Sequence, residues 1–427
     1  MTTSPTTLAV FRNPAFRNLW FATLASNFGG IVQAVGAAWL MTSLTASEGM
    51  VALVQASITL PIMVFSLLAG VFADNFDRRK VMLWAQGFMC LASVGLAVLA
   101  YEELLTPWSL LLFTFLIGCG TALNNPSWQA TVGDLVTKAE LPAAVSVNSM
   151  GFNMMRSVGP AAGGAIVAAF GAAAAFAVNA ASYIAIIAAL FAWRPAAKSS
   201  SLPRERFASA FAAGLRYVAL SPNLVRIIAR GFLFGFSAIA LQALLPVIVR
   251  ESLAGTSLTY GLLLGAFGVG AVFGAMASQR LRARFDNEGV VRIGFGGYAL
   301  CYLALVLSPP VTVAGIVLFA AGACWVLTLS LLNTTIQLST PRWVVGRVLA
   351  LYQTGTFGGM AIGSWTWGAI AEGSTMPTAL ACSAIAAAIG LAIGVLARLP
   401  DRSEMRLDPA NTFVEPKLSL DIRPQSG

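Results

Sequence analysis

The sequence contains no histidine and very few charged residues. Charged side chains make up 10% of the 427 residues, whereas soluble domains carry about 25%. A soluble chain of this length could not cover its surface with so few charges, so lipid must surround most of it. The five cysteines have no metal-ligand spacing and there is no GxxxxGK[ST] loop. Metal centres, His-based acid–base sites and nucleotide-driven transport are therefore not expected, and neither is any cofactor.

Apolar residues, by contrast, make up 58% of the chain and lie in long uncharged runs. About 20 such residues in a helix cross the hydrocarbon core of a bilayer. The strict alternation of a membrane β-barrel is missing, so the spans are expected to be helical. The runs predict an all-α membrane protein with twelve transmembrane helices, at residues 16–42, 49–73, 80–101, 107–130, 143–170, 172–193, 221–249, 256–280, 289–308, 311–338, 346–371 and 376–398.

The distribution of Lys and Arg predicts the orientation. All but two of the 26 basic residues fall on the side that holds both termini, and such an excess marks the cytoplasmic side. We therefore expect a multi-pass protein of the bacterial inner membrane with both termini in the cytoplasm. The exceptions are Arg156, inside the fifth span, and Arg250 on the opposite side. The basic residues are spread over many segments, which favours contact with anionic lipids over a nucleic-acid partner.

The chain repeats itself at an offset of 204 residues. Five glycines of the first half fall on glycines of the second: Gly70, Gly118, Gly151, Gly159 and Gly164 on Gly274, Gly322, Gly355, Gly363 and Gly368. A parallel repeat of six plus six spans is typical of one large class of transporters. We therefore expect an N-terminal bundle at 1–193, a cytoplasmic linker at 194–220, a C-terminal bundle at 221–399 and a disordered tail at 400–427. Residues 204–220 of the linker suit an amphipathic surface helix.

The segment from Gly70 to Lys80 resembles the G-x-x-x-D-x-x-x-R-[RK] signature of the major facilitator superfamily. The resemblance implies a twelve-helix fold with a central cavity, in which this loop closes the cytoplasmic side. The residues implied in gating are Gly70, Asp74, Arg78 and Arg79. We expect Arg78 to pair with Asp134, and Asp74 to approach the helix N-terminus near Gly346. The alternative is that these charges only set topology. In the second copy Ser278 replaces the acid, so a weaker latch is expected there.

Gly159, Pro160, Gly163 and Gly164 resemble the G-P-x-x-G-G element of exporters in that superfamily. Proline bends a helix and glycine allows close packing, so the fifth span is expected to flex during transport. Several shorter segments, including Asn13–Trp20, resemble the enterobactin-exporter-like branch. The resemblance implies export of a small molecule by a monomer that uses the proton gradient. An uptake permease of the same fold is the alternative.

The candidate cavity residues are the polar side chains deep in the spans. Arg156 shares a helical face with Asn153, and its charge is costly in the membrane unless it is paired or hydrated. It is expected either to attract an anionic or electron-rich substrate or to be held by neighbouring groups as part of a gate. The amide candidates, which bind substrate or link helices, are Asn27, Gln33, Gln55, Asn153, Asn179, Gln242 and Asn333.

No carboxylate lies deep in any predicted span. This argues against a cationic drug as the main substrate, because a buried Asp or Glu would normally bind it. It also leaves the residue that carries the proton unidentified. The sequence thus predicts a secondary transporter of a small, anionic or amphiphilic molecule. A lipid or lysolipid flippase is the rival from another class, whereas an intramembrane enzyme lacks any visible set of catalytic groups.

Overall fold

The computed structural model describes residues 7–75, 77–137, 139–194, 207–341 and 344–399, with the backbone alone at 7–9, 66–75, 207–211 and 213. The predicted tail at 400–427 and residues 195–206 of the predicted linker lie outside these residues. The described helices are α1 (Pro14–Leu44), α2 (Glu48–Asn75), α3 (Arg78–Tyr101), α4 (Pro107–Leu135), α5 (Leu141–Ala192), α6 (Phe207–Ala219), α7 (Pro222–Val247), α8 (Ser257–Arg284), α9 (Asn287–Val306), α10 (Val311–Ser339), α11 (Val345–Gly373) and α12 (Met376–Leu396).

Several helices begin at side chains that satisfy their free backbone N–H groups. The Asn13 side chain accepts hydrogen bonds from the first turn of α1. Capping boxes formed by Thr106 with Ser109 and by Thr256 with Thr259 start α4 and α8. Side-chain capping removes unpaired donors from helix ends, which matters most where a helix ends near lipid.

Helix α5 is 52 residues long and contains two membrane crossings. Gly171 divides it, with φ +80° and ψ 174°, a conformation that glycine adopts without strain. The sequence predicted a break at this position. The two resulting helical segments, 141–170 and 172–192, are the fifth and sixth spans.

Ten helical segments of the described chain are long and apolar enough to cross a membrane, and α5 counts once among them. Helix α11 is not one of the ten. It is as long as its neighbours, but Gly, Ser and Thr lower its hydropathy. With two crossings in α5, the described helices supply the twelve spans that the sequence predicted. The fold is thus an all-α membrane bundle, with the short helix α6 between its halves.

The 204-residue repeat reappears as equivalent contacts in the two halves. A methyl group on Gly151 would approach Leu24 Cδ1 to 2.9 Å, and one on Gly355 would approach Ile228 Cγ2 to 3.0 Å. Gly151 and Leu24 lie 204 residues before Gly355 and Ile228, respectively. The glycines therefore mark the same helix crossing, α1 on α5 and α7 on α11.

Two seams join the first half (α1–α5) to the second half (α7–α12). In the first seam α5 packs on α8, where the backbone at Pro160 and Gly164 touches Gly261. In the second seam α2 packs on α11, where a methyl group on Gly368 would meet Gly49 Cα at 3.0 Å. Small residues let helix backbones approach this closely in membranes.

The two ends of the bundle differ in charge and in contact. We call the end with Arg78, Arg79 and Lys80 the basic end. The opposite end, with Glu48, Glu102, Glu103, Glu251 and Glu372, is the acidic end. Contacts between the halves reach from the acidic end to the middle of the seams. Towards the basic end, the fully described helices α4 and α10 share no comparable packing.

The first seam predicts a steric test at Gly261. In Gly261→Ala the new methyl group would strike the Pro160 carbonyl oxygen and lie 2.8 Å from Gly164 Cα. Overpacking of this kind costs about 1–3 kcal/mol, so we expect a lower unfolding temperature in detergent.

The matched control is Gly296→Ala on α9, where no described atom lies within 4 Å of the new methyl group. Alanine is the better helix former, so this variant should unfold at the wild-type temperature or above. Equal unfolding temperatures for the two variants would contradict the close packing of α5 on α8.

Candidate functional site between the two halves

Arg156 projects from α5 of the first half onto aromatic rings of the second. Its guanidinium carbon lies 5.8 Å from the ring centroid of Phe267 on α8 and 5.9 Å from that of Trp325 on α10. In the described part of the chain, no carboxylate pairs with Arg156. The side chain is half-buried. Cation–π contacts are worth about 0.5–2 kcal/mol, well below a full ion pair in a dry site, so the charge stays available to an anion.

The rings around Arg156 belong to a larger aromatic cluster of the second half, which we call the aromatic cluster. Its members are Phe234, Phe267, Phe295, Tyr298, Tyr302 and Trp325, with neighbouring centroids 5.2–6.4 Å apart. Tilted and edge-to-face pairs of this kind are favourable beyond the area that they bury. The cluster therefore forms the aromatic surface of the second half against which Arg156 is positioned.

The exporter-like element, Gly159–Gly164, follows Arg156 along α5. Methyl groups on Gly159 and Gly163 would meet Ile31 Cγ2 at 2.9 Å and Val32 Cα at 3.1 Å, both on α1. Gly164 instead faces Ser257 and Gly261 on α8. Pro160, inside the helix, removes one backbone donor at the same level. The element thus packs α5 against α1 of the first half and against α8 of the second half.

Two of the amide candidates lie inside the first half. The Asn179 side chain donates to the Gln33 amide oxygen, to Ser93 Oγ at 3.0 Å and to the Tyr183 hydroxyl at 3.3 Å. Asn179 and Gln33 are buried, at 0% and 3% exposure. This network joins α1, α3 and α5 to one another, which is the geometry of helix linking.

The remaining amides are not gathered at one point. Asn27, Gln55 and Asn153 are half-buried on α1, α2 and α5. The Gln337 side chain donates to Asn333 Oδ1 one turn away on α10. Gln242 on α7 has a buried Nε2 atom without a hydrogen-bond partner among the described residues. Among the predicted cavity residues, Arg156 has described side-chain contacts with the opposite half, at Phe267 and Trp325.

At the basic end Arg78 contacts Asp134, as the sequence predicted. Arg78 Nη1 lies 2.7 Å from Asp134 Oδ2 and 3.3 Å from the Ala130 carbonyl oxygen. Arg79 donates to the carbonyls of Leu190 and Phe191, 2.8 and 3.0 Å away, at the C-terminus of α5. Cations are favourable there because the helix dipole is negative at that end. The role of these contacts in gating stays a prediction.

The second contact of the expected latch involves Gly70, Asp74 and Gly346. Gly70 and Asp74 lie in α2, but their side chains are outside the described residues, so the expected approach of Asp74 to the start of α11 is not described. Gly346 is the second residue of α11. In the second repeat Leu338 occupies the place of Asp134. The repeat therefore supplies no carboxylate at that position for Arg282, which is the equivalent of Arg78.

Near this latch, Glu140 precedes α5 and stays ionised. The Thr137 hydroxyl and backbone N–H donate to its carboxylate at 2.8 and 3.1 Å. These hydrogen bonds lower the pKa of the Glu140 carboxyl below its usual value. The loop between α4 and α5 thus keeps a fixed negative charge down to acidic pH.

A buried ionic cluster in the second half escaped the sequence analysis. Arg230 on α7 and Glu288 on α9 are both 3% exposed and lie 3.1 Å apart. Arg292, one turn along α9, lies 3.4 Å from the same carboxylate oxygen. The sequence shows Glu288 and Arg292 four residues apart, a spacing typical of helix ion pairs. Arg230 lies nine residues into the seventh predicted span, and the sequence analysis counted it only among the basic residues that set the membrane orientation.

The cluster also fastens α12. Arg230 donates to the carbonyl of Gly390, and Arg292 donates to that of Gly394 at 2.8 Å. Glu288 Oε2 accepts the backbone N–H of Leu399 at 3.0 Å. Charges buried this deeply are tolerated because each is paired and hydrogen-bonded. The basic end of the second half is therefore held by α7, α9 and α12 rather than by a copy of the Arg78–Asp134 contact.

At the acidic end Arg250 joins the two halves. Arg250 Nη1 donates to Thr42 Oγ1 and Ser43 Oγ, 2.9 Å each, at the C-terminus of α1. Trp39 of α1 stacks on Tyr260 of α8, with centroids 6.1 Å apart. The halves are therefore in side-chain contact at this end.

The sequence model of the transmembrane secretion effector family matches residues 5–427. The chain belongs to this family of the major facilitator superfamily. Among curated relatives, the enterobactin exporter EntS of Escherichia coli O1:K1 / APEC is 28% identical over 393 residues, which cover 90% of this chain and 91% of EntS. The uncharacterized MFS-type transporter YfiS of Bacillus subtilis strain 168 is 25% identical over 350 residues, 79% of this chain and 82% of YfiS.

Solved structures agree on the fold. A bacterial homologue of the human lysosomal transporter Spinster, in an inward-facing conformation, has a TM-score of 0.72 at 14% identity and covers 93% of this chain and 98% of its own. The nucleoside transporter NupG has a TM-score of 0.68 at 11% identity, with coverage of 90% and 98%. The expected superfamily is confirmed, and the chain is a multi-pass membrane transporter and not an enzyme.

The buried cluster generates a prediction for the second half. Glu288→Gln removes the charge that compensates Arg230, and breaking a buried pair in this way costs about 3–5 kcal/mol. We expect a marked loss of thermal stability in detergent, measured by unfolding temperature.

Glu103→Gln is the control, because Glu103 is an exposed acid in the turn after α3. It should leave the unfolding temperature unchanged. Wild-type stability in Glu288→Gln would mean that the cluster does not hold α7, α9 and α12 together.

Proposed function

We propose that this transporter exports a small anionic or amphiphilic molecule from the cytoplasm by alternating access, with the proton gradient as the driving force. The observation that carries the proposal is Arg156, a cation in the middle of the bundle without a described carboxylate partner. Export is supported by the likeness to the enterobactin exporter and by the G-P-x-x-G-G element around Pro160. The proton gradient is proposed from the family resemblance.

The arrangement of contacts suits a rocking motion of the halves. The two seams place backbone against backbone at Gly261 on Gly164 and at Gly368 on Gly49. The acidic end is in contact through Arg250, whereas α4 and α10 are not packed together towards the basic end. With the basic end in the cytoplasm, a cytoplasmic molecule would enter from that end and meet Arg156 near the middle of the membrane.

An anion is favoured over a cation on electrostatic grounds. A charge on Arg156 raises the local potential, and the aromatic cluster offers no carboxylate to offset it. A cationic molecule would pay for repulsion there, while an anion gains a charge-assisted hydrogen bond of about 1.5–3 kcal/mol. The cargo is thus expected to carry at least one oxyanion beside an apolar body that suits the walls.

The orientation is tested with reporter fusions. Alkaline phosphatase fused after Glu103 should be active, because the acidic end should face the periplasm, and the same enzyme fused after Leu220 should be inactive. Green fluorescent protein at the two positions should give the reverse result. Active alkaline phosphatase after Leu220, with fluorescence of green fluorescent protein fused after Glu103, would place the basic end in the periplasm.

The substrate class is tested with Arg156→Met in everted membrane vesicles. The probes are salicylate, its neutral analogue salicylamide, the cation ethidium, and enterobactin. Wild-type protein should accumulate at least one of the two acidic probes, salicylate or enterobactin, and discriminate against salicylamide and ethidium. Loss of the guanidinium should weaken binding of the transported anion about 10–100-fold.

Arg226→Met is the matched control, since Arg226 is an exposed arginine near the basic end of α7. It should transport like the wild type. Arg156→Lys keeps the charge without the planar donor fork and should fall between wild type and Arg156→Met. Undiminished binding and transport in Arg156→Met would reject Arg156 as the binding cation.

A further inference from the structure

The hydroxyl of Tyr298 is a buried polar group without a use in the fold. Tyr298 on α9 is 0% exposed, and its hydroxyl oxygen has no hydrogen-bond partner among the described residues. An unpaired buried hydroxyl lowers stability, and phenylalanine at the same place would avoid that cost. A function outside the packing of the second half would account for it.

The neighbouring tyrosine shows what a structural hydroxyl looks like in this cluster. Tyr302, one turn along α9, is also fully buried. It donates to the Ser237 carbonyl oxygen at 2.6 Å and accepts the backbone N–H of Leu241 at 3.3 Å. The Tyr302 hydroxyl thus links α9 to α7, whereas that of Tyr298 links nothing in the described chain.

Tyr298 lies beside the ring that holds Arg156. The ring centroids of Tyr298 and Trp325 are 6.4 Å apart, and the Arg156 guanidinium carbon lies 5.9 Å from the Trp325 centroid. Arg156 and the Tyr298 hydroxyl thus flank the same ring. Both are hydrogen-bond donors, and the Tyr298 hydroxyl has no hydrogen-bond partner among the described residues.

We propose that the Tyr298 hydroxyl is a second substrate-binding donor, which together with Arg156 binds one oxyanion of the cargo, such as a carboxylate, phenolate or sulfonate. The two donors come from different halves, so an anion that they share contacts both. This inference rests on the proposed function, because it needs Arg156 to bind an anion. It adds that the second half selects for an oxygen acceptor rather than for charge alone.

An oxyanion is the acceptor that fits both groups. A guanidinium donates through a planar fork, and a phenol donates a single O–H. An oxygen with several lone pairs can accept from both at once, whereas a halide or an electron-rich ring lacks that directionality. Trp325 contacts both donors, so its side chain must move aside as the anion reaches Tyr298.

The test removes one oxygen atom at a time. Tyr298→Phe and Tyr302→Phe are purified beside wild type and Arg156→Met, and binding of enterobactin and salicylate is measured by isothermal titration calorimetry. Unfolding temperature is measured in the absence of either probe. Tyr298→Phe should bind the anion that the wild type binds about tenfold more weakly, with an unfolding temperature equal to or above that of the wild type.

Tyr302→Phe should show the opposite pattern, with a lower unfolding temperature and wild-type affinity. Wild-type affinity in Tyr298→Phe alongside weak binding in Arg156→Met would overturn this inference and leave the proposed function standing. Wild-type affinity in Arg156→Met, or binding of neither anion by the wild type, would overturn both. A fall in stability of Tyr298→Phe with unchanged affinity would show that its hydroxyl serves packing.

Discussion

A charge inside a lipid-embedded bundle must be compensated, and the way this chain compensates its buried charges separates structure from function. Arg230 and Arg292 share Glu288 and the free carbonyls of α12, so their charges are satisfied within the second half. Among the described residues, the charge of Arg156 is compensated only by the faces of two aromatic rings. The cost of a poorly compensated guanidinium is tolerable where it is repaid in another state, for example on binding an anion. That contrast is the physical basis for placing the substrate at Arg156.

The same contrast applies to uncharged polar groups. The amides of Gln33 and Asn179 satisfy each other and Ser93 in the interior of the first half. Such networks fix the arrangement of helices within a half. The unpaired Tyr298 hydroxyl, in the other half, stands out against them as Arg156 does against Arg230. Arg156 and the Tyr298 hydroxyl thus differ from the paired charges and amides described within each half.

Much of the fold could be predicted because its signals are local and periodic. Uncharged runs located the spans, the glycine at 171 divided the fifth from the sixth, and the 204-residue offset anticipated equivalent crossings such as Gly151 on Leu24 and Gly355 on Ile228. The contact of Arg78 with Asp134 was also predicted, since the family signature places Arg78 at the end of the bundle where Asp134 follows the fourth predicted span. Gating by that contact remains a prediction.

The site was harder to predict because depth in a span does not reveal direction. Gln33 and Asn179 lie mid-span like Arg156, yet they point into one half and meet across 146 residues of sequence. Arg230 and Glu288 are 58 residues apart, and each alone has the appearance of a topology charge at a helix end. Which residues face each other depends on how the helices are rotated, and a single sequence with an almost uniformly apolar surface leaves that rotation open.

The seams have a mechanical consequence. Where α5 meets α8, the atoms that face Gly164, Gly261 and Gly268 are main-chain atoms, and where α2 meets α11, Gly368 faces Ala52 and Gly49. Interlocked side chains would have to change rotamers before one helix could roll over another, whereas bare backbone presents a nearly smooth surface. In the proposed rocking motion, the activation barrier would then depend mainly on the contacts at the two ends of the bundle and at the bound molecule, and little on side-chain rearrangement along the middle of the protein.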